Sequence, residues 1–379
     1  MRKKNIFSLD LIKVFALFLV SWSHFVSVAT WATEIPGILK GSMAQPLFPY
    51  TEHSLWKFEG ILHDLYGIDS APIGVTLFFI VSGYLIPTMQ DKYYSEDRLT
   101  GLLPSRITHI YPTLILCVVL DSLVAWFYQG IVHPLKDYLA TATITITFTK
   151  TDSTLGVLWY LTVLFFVYII ATIVPRFSLR NLTGVYAVLY FIVALPRIAG
   201  DFEYLWLLTK FQHDAKFSGI VLFGAAAALS EKYKLPDRII ALVWYAFLSF
   251  GLVLLPRYWY ADITVYSIIE TYIAVALIIL VISAINKFFP NGTAKLSPVV
   301  KFVNRISLPF YLLHAQFGVS TIHFLRIRGF SVVPCVITAY AVSFAISIVV
   351  SLIMDKFTAF VKAQIVHQRS LKPVNKTQE

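Results

Sequence analysis

Lys13 and His24 stand eleven residues apart in an otherwise apolar run, FSLDLIKVFALFLVSWSHFVSVATW, over residues 7–31. An imidazole, with a reference pKa of ~6.5, can take or give a proton near neutral pH, and a lysine can hold an anion. On a helix rising ~1.5 Å and turning ~100° per residue, the two lie ~16 Å apart and nearly on one face. Asp10 and Ser21 fall close to the same line. A second set of such groups comes late in the chain, where Asn304, Ser307, Tyr311 and His314 occupy the run NRISLPFYLLH. Their helical angles cluster within about a quarter turn, which makes a second polar line. If that helix enters the membrane near Val300, His314 lies ~21 Å along it, comparable to the ~24 Å of His24 along its own. Two histidines at similar depth point to one site.

These residues must be carried by membrane helices. The chain is 58% hydrophobic and only 14% charged, with a mean hydropathy of +0.72; a water-soluble domain carries about 25% charged residues. A charged side chain inside an apolar span costs ~2.5–3.5 kcal/mol and therefore faces a bundle interior or a wet cavity. The bland alternative makes Asp10 and Lys13 an interfacial ion pair and His24 a hydrogen-bonded core residue. The formal charge of +10 is no sign of nucleic-acid binding, because basic residues flank membrane helices on the cytoplasmic side. Cys117 and Cys335 both lie inside apolar segments and give neither a disulfide framework nor a metal site. Asp10 and Lys13 interrupt the first apolar run, so no cleavable signal peptide is expected.

The expected fold is an all-α polytopic bundle of about ten transmembrane helices, at roughly 8–30, 72–90, 107–128, 155–175, 182–198, 216–231, 238–256, 262–285, 300–324 and 331–354. The YLATATITITF stretch at Tyr138–Phe148 is too short to span and reads as re-entrant or interfacial. With the N-terminus in the cytoplasm and Lys13 set aside, Lys and Arg divide 20 inside to 10 outside. That bias places both termini in the cytoplasm. The membrane domain is expected over residues 1–356, followed by a short basic tail, 357–379, suited to the inner leaflet. The long loop Ala32–Ala71 would then face outward, with His53, Glu59, His63 and Asp64 as a polar cap. In the second helix, Ser82, Gly83 and Pro87 mark an expected break, since Pro87 leaves the Gly83 carbonyl without its donor. Close helix packing through small residues is the other reading. Two intramembrane acids, Asp121 and Glu270, are candidates to orient a histidine or pair with a cation.

Five segments resemble the acyltransferase-3 family of integral membrane acyltransferases. Asp10-Leu-Ile-Lys13, ten residues and His24 match the family's D-x-x-[R/K]-x10-H opening, with Lys where Arg is usual. The second helix, GVTLFFIVSGYLI, matches G-x-x-x-F-F-x-x-S-G-[FY]-L-I nearly position for position. Arg106 fits the first Arg of R-x-x-R-[IL]-x-P, whereas His109 stands where the second Arg is expected. Trp159-Tyr160-Leu161 with Leu164 resembles W-[FSY]-L-x-x-L, although a Trp there is also a common interfacial anchor. Ser307, Tyr311 and His314 match S-x-x-x-Y-L-x-H.

The resemblance implies a cell-membrane enzyme that takes an acyl group, usually acetyl, from cytoplasmic acyl-coenzyme A. The acceptor it implies is a hydroxyl of a cell-envelope carbohydrate or lipid-linked saccharide on the far side, with no metal. O-acyl transfer needs a base for that hydroxyl and donors for the developing oxyanion. His24 suits the first role; Tyr311, Ser82 or a protonated His314 suit the second. Lys13, Arg106 and His109 would hold the donor's phosphates. An acetyl-histidine intermediate is an alternative route. A transporter or flippase for a lipid-linked saccharide is the alternative function, since buried polar residues and a broken helix suit that class too.

Overall fold

The computed structural model describes residues 3–31, 70–95, 101–151, 153–174, 176–199, 205–258 and 265–371. Every regular element among them is helical. A backbone in lipid must satisfy its own polar groups, and an apolar chain with no strand partners does so as helix. The elements are α1 (Lys3–Trp31), α2 (Ser70–Ser95), α3 (Leu102–Gln129), α4 (Leu135–Ala142), a 3-10 turn (Ile146–Phe148), α5 (Trp159–Ile173), α6 (Leu179–Ala199) and α7 (Leu205–Ser230). They continue with α8 (Leu235–Tyr258), α9 (Val265–Phe288), α10 (Pro290–Leu313), a π turn (His314–Gly318), α11 (Val319–Arg326) and α12 (Val332–Leu371). The chain is thus an all-α polytopic membrane protein. The loop residues 32–69, with His53, Glu59, His63 and Asp64, lie outside the described residues.

Among the described residues, seven helices, α1, α2, α3, α6, α8, α9 and α12, are long and apolar enough to cross a membrane. The other three expected spans correspond to elements with identifiable peculiarities. α5 has only 15 residues. α7 carries Lys210, Asp214 and Lys216 in its first half, and α10 carries Lys295, Lys301 and Arg305. The segment expected from 216 begins at Leu205 because protein groups satisfy its polar turns. Lys210 Nζ donates to the carbonyls of Ile146 and Thr149 at 2.6 and 2.7 Å. Asp214 accepts from the Thr147 and Thr162 hydroxyls at 2.8 and 2.9 Å. The Tyr138–Phe148 stretch is the end of α4 followed by the 3-10 turn, not a span. The last helix runs on to Leu371, well past the expected end at 354.

The expected break in the second helix is absent. α2 runs unbroken from Ser70 to Ser95 with Pro87 inside it. Gly83 and Gly224 instead let α2 and α7 cross in backbone contact. A Cβ on Gly83 would fall 1.7 Å from the Val221 carbonyl oxygen, and one on Gly224 would fall 2.0 Å from that of Ile80. Small residues that admit a neighbouring backbone are the usual means of packing helices without a hydrophobic driving force. Gly74 does the same for α1, where an added Cβ would lie 2.7 Å from the Ala16 carbonyl oxygen. On its other side α7 is held by a buried hydroxyl knot. Tyr186 Oη donates to the Gly219 carbonyl at 2.6 Å and lies 2.8 Å from Ser249 Oγ.

The ninth expected segment is also built differently. α10 starts at Pro290 and passes through Pro309, and the irregularity falls five residues later as the π turn. Gly318 closes that turn against Phe25: a Cβ there would sit 2.1 Å from the Phe25 ring. π turns inside α-helices frequently occur at functional sites.

Candidate active site

α1 and α10 lie side by side, so their polar lines face each other. Near the N-terminal end of α1, Asn304 Nδ2 donates to the Asp10 carbonyl at 3.1 Å. At the other end, His24 Nδ1 and His314 Nε2 are 3.0 Å apart with their ring planes within 12° of each other. His314 is fully buried and packs against the rings of Phe310 and Phe25.

The surroundings of His314 fix the protons of the pair. Its Nδ1 faces two carbonyl oxygens, Tyr311 at 2.8 Å and Phe310 at 3.2 Å. Carbonyl oxygens only accept, so Nδ1 carries the hydrogen and the neutral ring keeps its lone pair on Nε2. His24 Nδ1 must then donate across the 3.0 Å contact, and the lone pair of neutral His24 is on its Nε2. The π turn supports this arrangement: His314 is its first residue, and its ring folds back onto the last turn of α10.

His24 lines a cavity of about 660 Å³. Its walls come from α1 (Val20, His24), the start of α2 (Pro72, Val75, Thr76, Phe79), the Gly156–Val157 turn with Trp159, α7 (Phe217, Ile220), α8 (Val253), α9 (Ile268, Thr271, Tyr272) and the π-turn region (Tyr311, Ala315). A largely apolar cavity of this size with a few polar groups has the character of a small-molecule site. Its walls are where α1 ends and α2 begins, on the side of the bundle opposite the N-terminus. Tyr311 contributes its ring, while its hydroxyl donates to the Val157 carbonyl at 3.0 Å. Ser82 does not line the cavity; its Oγ lies 3.0 Å from Tyr160 Oη. Tyr160 in turn stacks on the cavity-lining Phe79, with centroids 4.8 Å apart.

The predicted cations gather elsewhere. Lys13, Arg106 and His109 form a cluster around the start of α3, where Arg106 exerts its field on the other two. Asp10 and Lys301 adjoin it. Arg106 reaches Met89 Sδ, and its buried Nε has no partner among the described residues. None of the three lines the His24 cavity. Cavity-lining Phe79 stacks on Tyr160, and Tyr168, buried two turns beyond Tyr160 on α5, lies within the field of Arg106.

The remaining candidates separate from the site. Ser307 Oγ donates to the Asn304 carbonyl of its own helix at 2.8 Å. Gly83 serves the α2–α7 crossing described above. Asp121 is buried on α3, and Glu270 sits on α9 with Oε2 buried and no partner among the described residues. Neither acid lines the cavity, and both ring nitrogens of His314 are held by other groups. No cluster of metal-ligating side chains occurs among the described residues.

The acyltransferase-3 model, described as an acyltransferase domain, matches residues 6–355. The chain belongs to the acyltransferase-3 family. It is therefore a membrane acyltransferase, and the match takes in both histidines and the cationic cluster. No curated protein and no solved structure matches it. Within this acyltransferase, the cavity adds groups that sequence reasoning passed over: Thr76, Tyr272, and the ring of Phe217 beside His213. Thr76 lies within the GVTLFFIVSGYLI segment, where a hydroxyl among apolar residues was a visible signal. Tyr272 lies in an apolar, mostly aliphatic helix and carried none.

Proposed function

We propose that this acyltransferase moves an acyl group, acetyl in the first instance, from cytoplasmic acyl-coenzyme A to a hydroxyl of an envelope carbohydrate or lipid-linked saccharide. The reading places the enzyme in the cell membrane with both termini in the cytoplasm. The observation that carries it is the His24–His314 pair, whose tautomers put a basic lone pair at His24 Nε2 on a cavity wall.

The acceptor hydroxyl gives its proton to His24 Nε2 as its oxygen attacks the thioester carbonyl carbon. The new C–O bond forms, the C–S bond breaks, and the leaving thiolate takes the proton back from His24. Throughout, His24 Nδ1–H stays on His314 Nε2, which steadies the imidazolium as the aspartate of a catalytic triad does. His314 therefore acts as the orienting acceptor, not as the protonated oxyanion donor that its residue type alone allowed.

Lys13, Arg106 and His109 take the donor's phosphates. Arg106 suits this role because its buried Nε lacks a partner among the described residues, and guanidinium pairs well with phosphate oxygens. The ~16 Å along α1 from Lys13 to His24 is left for the extended arm bearing the thioester. Purified protein given acetyl-coenzyme A and unacylated envelope glycan tests the whole reading: free coenzyme A and O-acetylated glycan should appear together. Glycan that stays unmodified while the protein is intact overturns it.

A further inference from the structure

The base alone does not set which hydroxyl is acylated; something must hold the acceptor. The polar groups first expected to meet substrate are mostly engaged. Tyr311 Oη donates to the Val157 carbonyl, Ser82 Oγ pairs with Tyr160 Oη, and both nitrogens of His314 are taken. Tyr272 differs. It lines the same cavity as His24, and its hydroxyl oxygen is buried with no hydrogen-bond partner among the described residues. Its neighbour Tyr190 is occupied, donating to the Leu248 carbonyl at 2.9 Å, and Phe250 meets the Tyr272 ring edge-on at 5.9 Å. The ring is therefore packed on protein while the hydroxyl goes unanswered among the described residues.

A buried hydroxyl without a partner is unfavourable, and native proteins seldom keep one without a use. A ligand filling a 660 Å³ cavity touches both His24 on α1 and Tyr272 on α9, because both belong to its wall. We infer that Tyr272 is an acceptor-binding residue: its hydroxyl hydrogen-bonds an oxygen of the polyhydroxylated acceptor and so sets which hydroxyl reaches His24. The inference rests on the acyl-transfer reading above and adds the acceptor contact to it. A polyol suits the site, since it can accept from a phenol while its ring faces lie on Phe79, Trp159 and Phe217.

The variant Tyr272→Phe keeps the ring and removes only the hydroxyl. Unacylated glycan prepared from cells lacking the gene serves as acceptor, with acetyl-coenzyme A as donor. The expected result is a KM for glycan raised about tenfold or more, an unchanged KM for acetyl-coenzyme A, and a melting temperature equal to or above that of the wild type. Wild-type kinetics in the variant overturn the inference. So does a lowered melting temperature with both KM values unchanged, which marks a structural hydroxyl. A fall in kcat at unchanged glycan KM overturns it as well, because it moves Tyr272 to the reacting carbonyl. If the wild type itself transfers nothing, the acyl-transfer reading falls and this inference with it, whereas an active wild type beside an unaltered variant sinks the inference alone.

Discussion

His24 and His314 stand 290 positions apart in the chain, yet their ring nitrogens are 3.0 Å apart. The contact exists because α1 and α10 pack along their polar lines and because the π turn starts at His314. Nothing in this geometry requires a carboxylate. The orienting role usually given to an acid falls to a neutral imidazole whose own proton is held by two backbone carbonyls. A neutral partner in an apolar setting avoids the large cost of burying an ionised carboxylate.

Replacing His24 with Ala should lower acyl transfer by at least about a hundredfold, the lower end of what a positioned general base contributes. His24 is a cavity-wall residue of a helix held at many other points, so the variant should insert and accumulate normally. Glycan acetylation per molecule of purified protein checks this. Transfer within a few-fold of wild type would remove His24 from the chemistry.

His314→Phe separates orientation from basicity. Phe fills the space between Phe310 and Phe25 but offers His24 no acceptor, so the His24 tautomer is no longer fixed. Activity should fall by about one to two orders of magnitude, less than in His24→Ala because the base itself survives. A loss equal to or greater than that of His24→Ala would mean that His314, not His24, meets the substrate.

Much of this site was legible in the sequence, and the failures have physical causes. The periodicity of Lys13 and His24 and that of Asn304 to His314 put each set on one helix face, and the structure joins the two faces. The Ser82–Gly83–Pro87 run was ambiguous, since a glycine and a proline signal a broken helix and a close crossing equally well. Only the position of Val221 on another helix, 1.7 Å from the absent Cβ, decides between them. The start of α7 was hidden because Lys210 and Asp214 look like loop residues until the Ile146–Thr151 carbonyls and the threonine hydroxyls that satisfy them are known. Tyr272 was invisible for the opposite reason. A tyrosine in an apolar helix is ordinary, and only the lack of a partner for its buried hydroxyl among the described residues marks it.

Gly83→Ala and Gly224→Ala should each destabilise the protein strongly. The added methyl meets backbone, not a flexible side chain, at 1.7 and 2.0 Å, so α2 and α7 must separate. Overpacking commonly costs about 1–3 kcal/mol and more where the neighbour cannot yield. Lower yield and a reduced melting temperature in detergent are expected for both. Gly184→Ala, where an added Cβ meets nothing within 4 Å, is the control that should behave as wild type. Equal stability across all three would contradict the crossing described here.

Arg106→Ala and Lys13→Ala test the division of the protein into a donor end and a cavity end. Their side chains lie in each other's field near the N-terminal end of α1 and the start of α3, and neither lines the His24 cavity. Loss of a phosphate contact weakens donor binding before it touches the chemistry, so KM for acetyl-coenzyme A should rise. A charged hydrogen bond is worth about 1.5–3 kcal/mol, which corresponds to roughly tenfold or more in each variant. The rise should shrink when the donor is a short acetyl thioester without phosphates, because that donor never used the cluster. KM for the glycan should stay where it was. Arg106→Lys should keep much of the donor affinity lost in Arg106→Ala, since it restores the charge without the planar fork. A fall in turnover at unchanged donor KM would place Arg106 nearer the reacting thioester and refute the separation of the two ends.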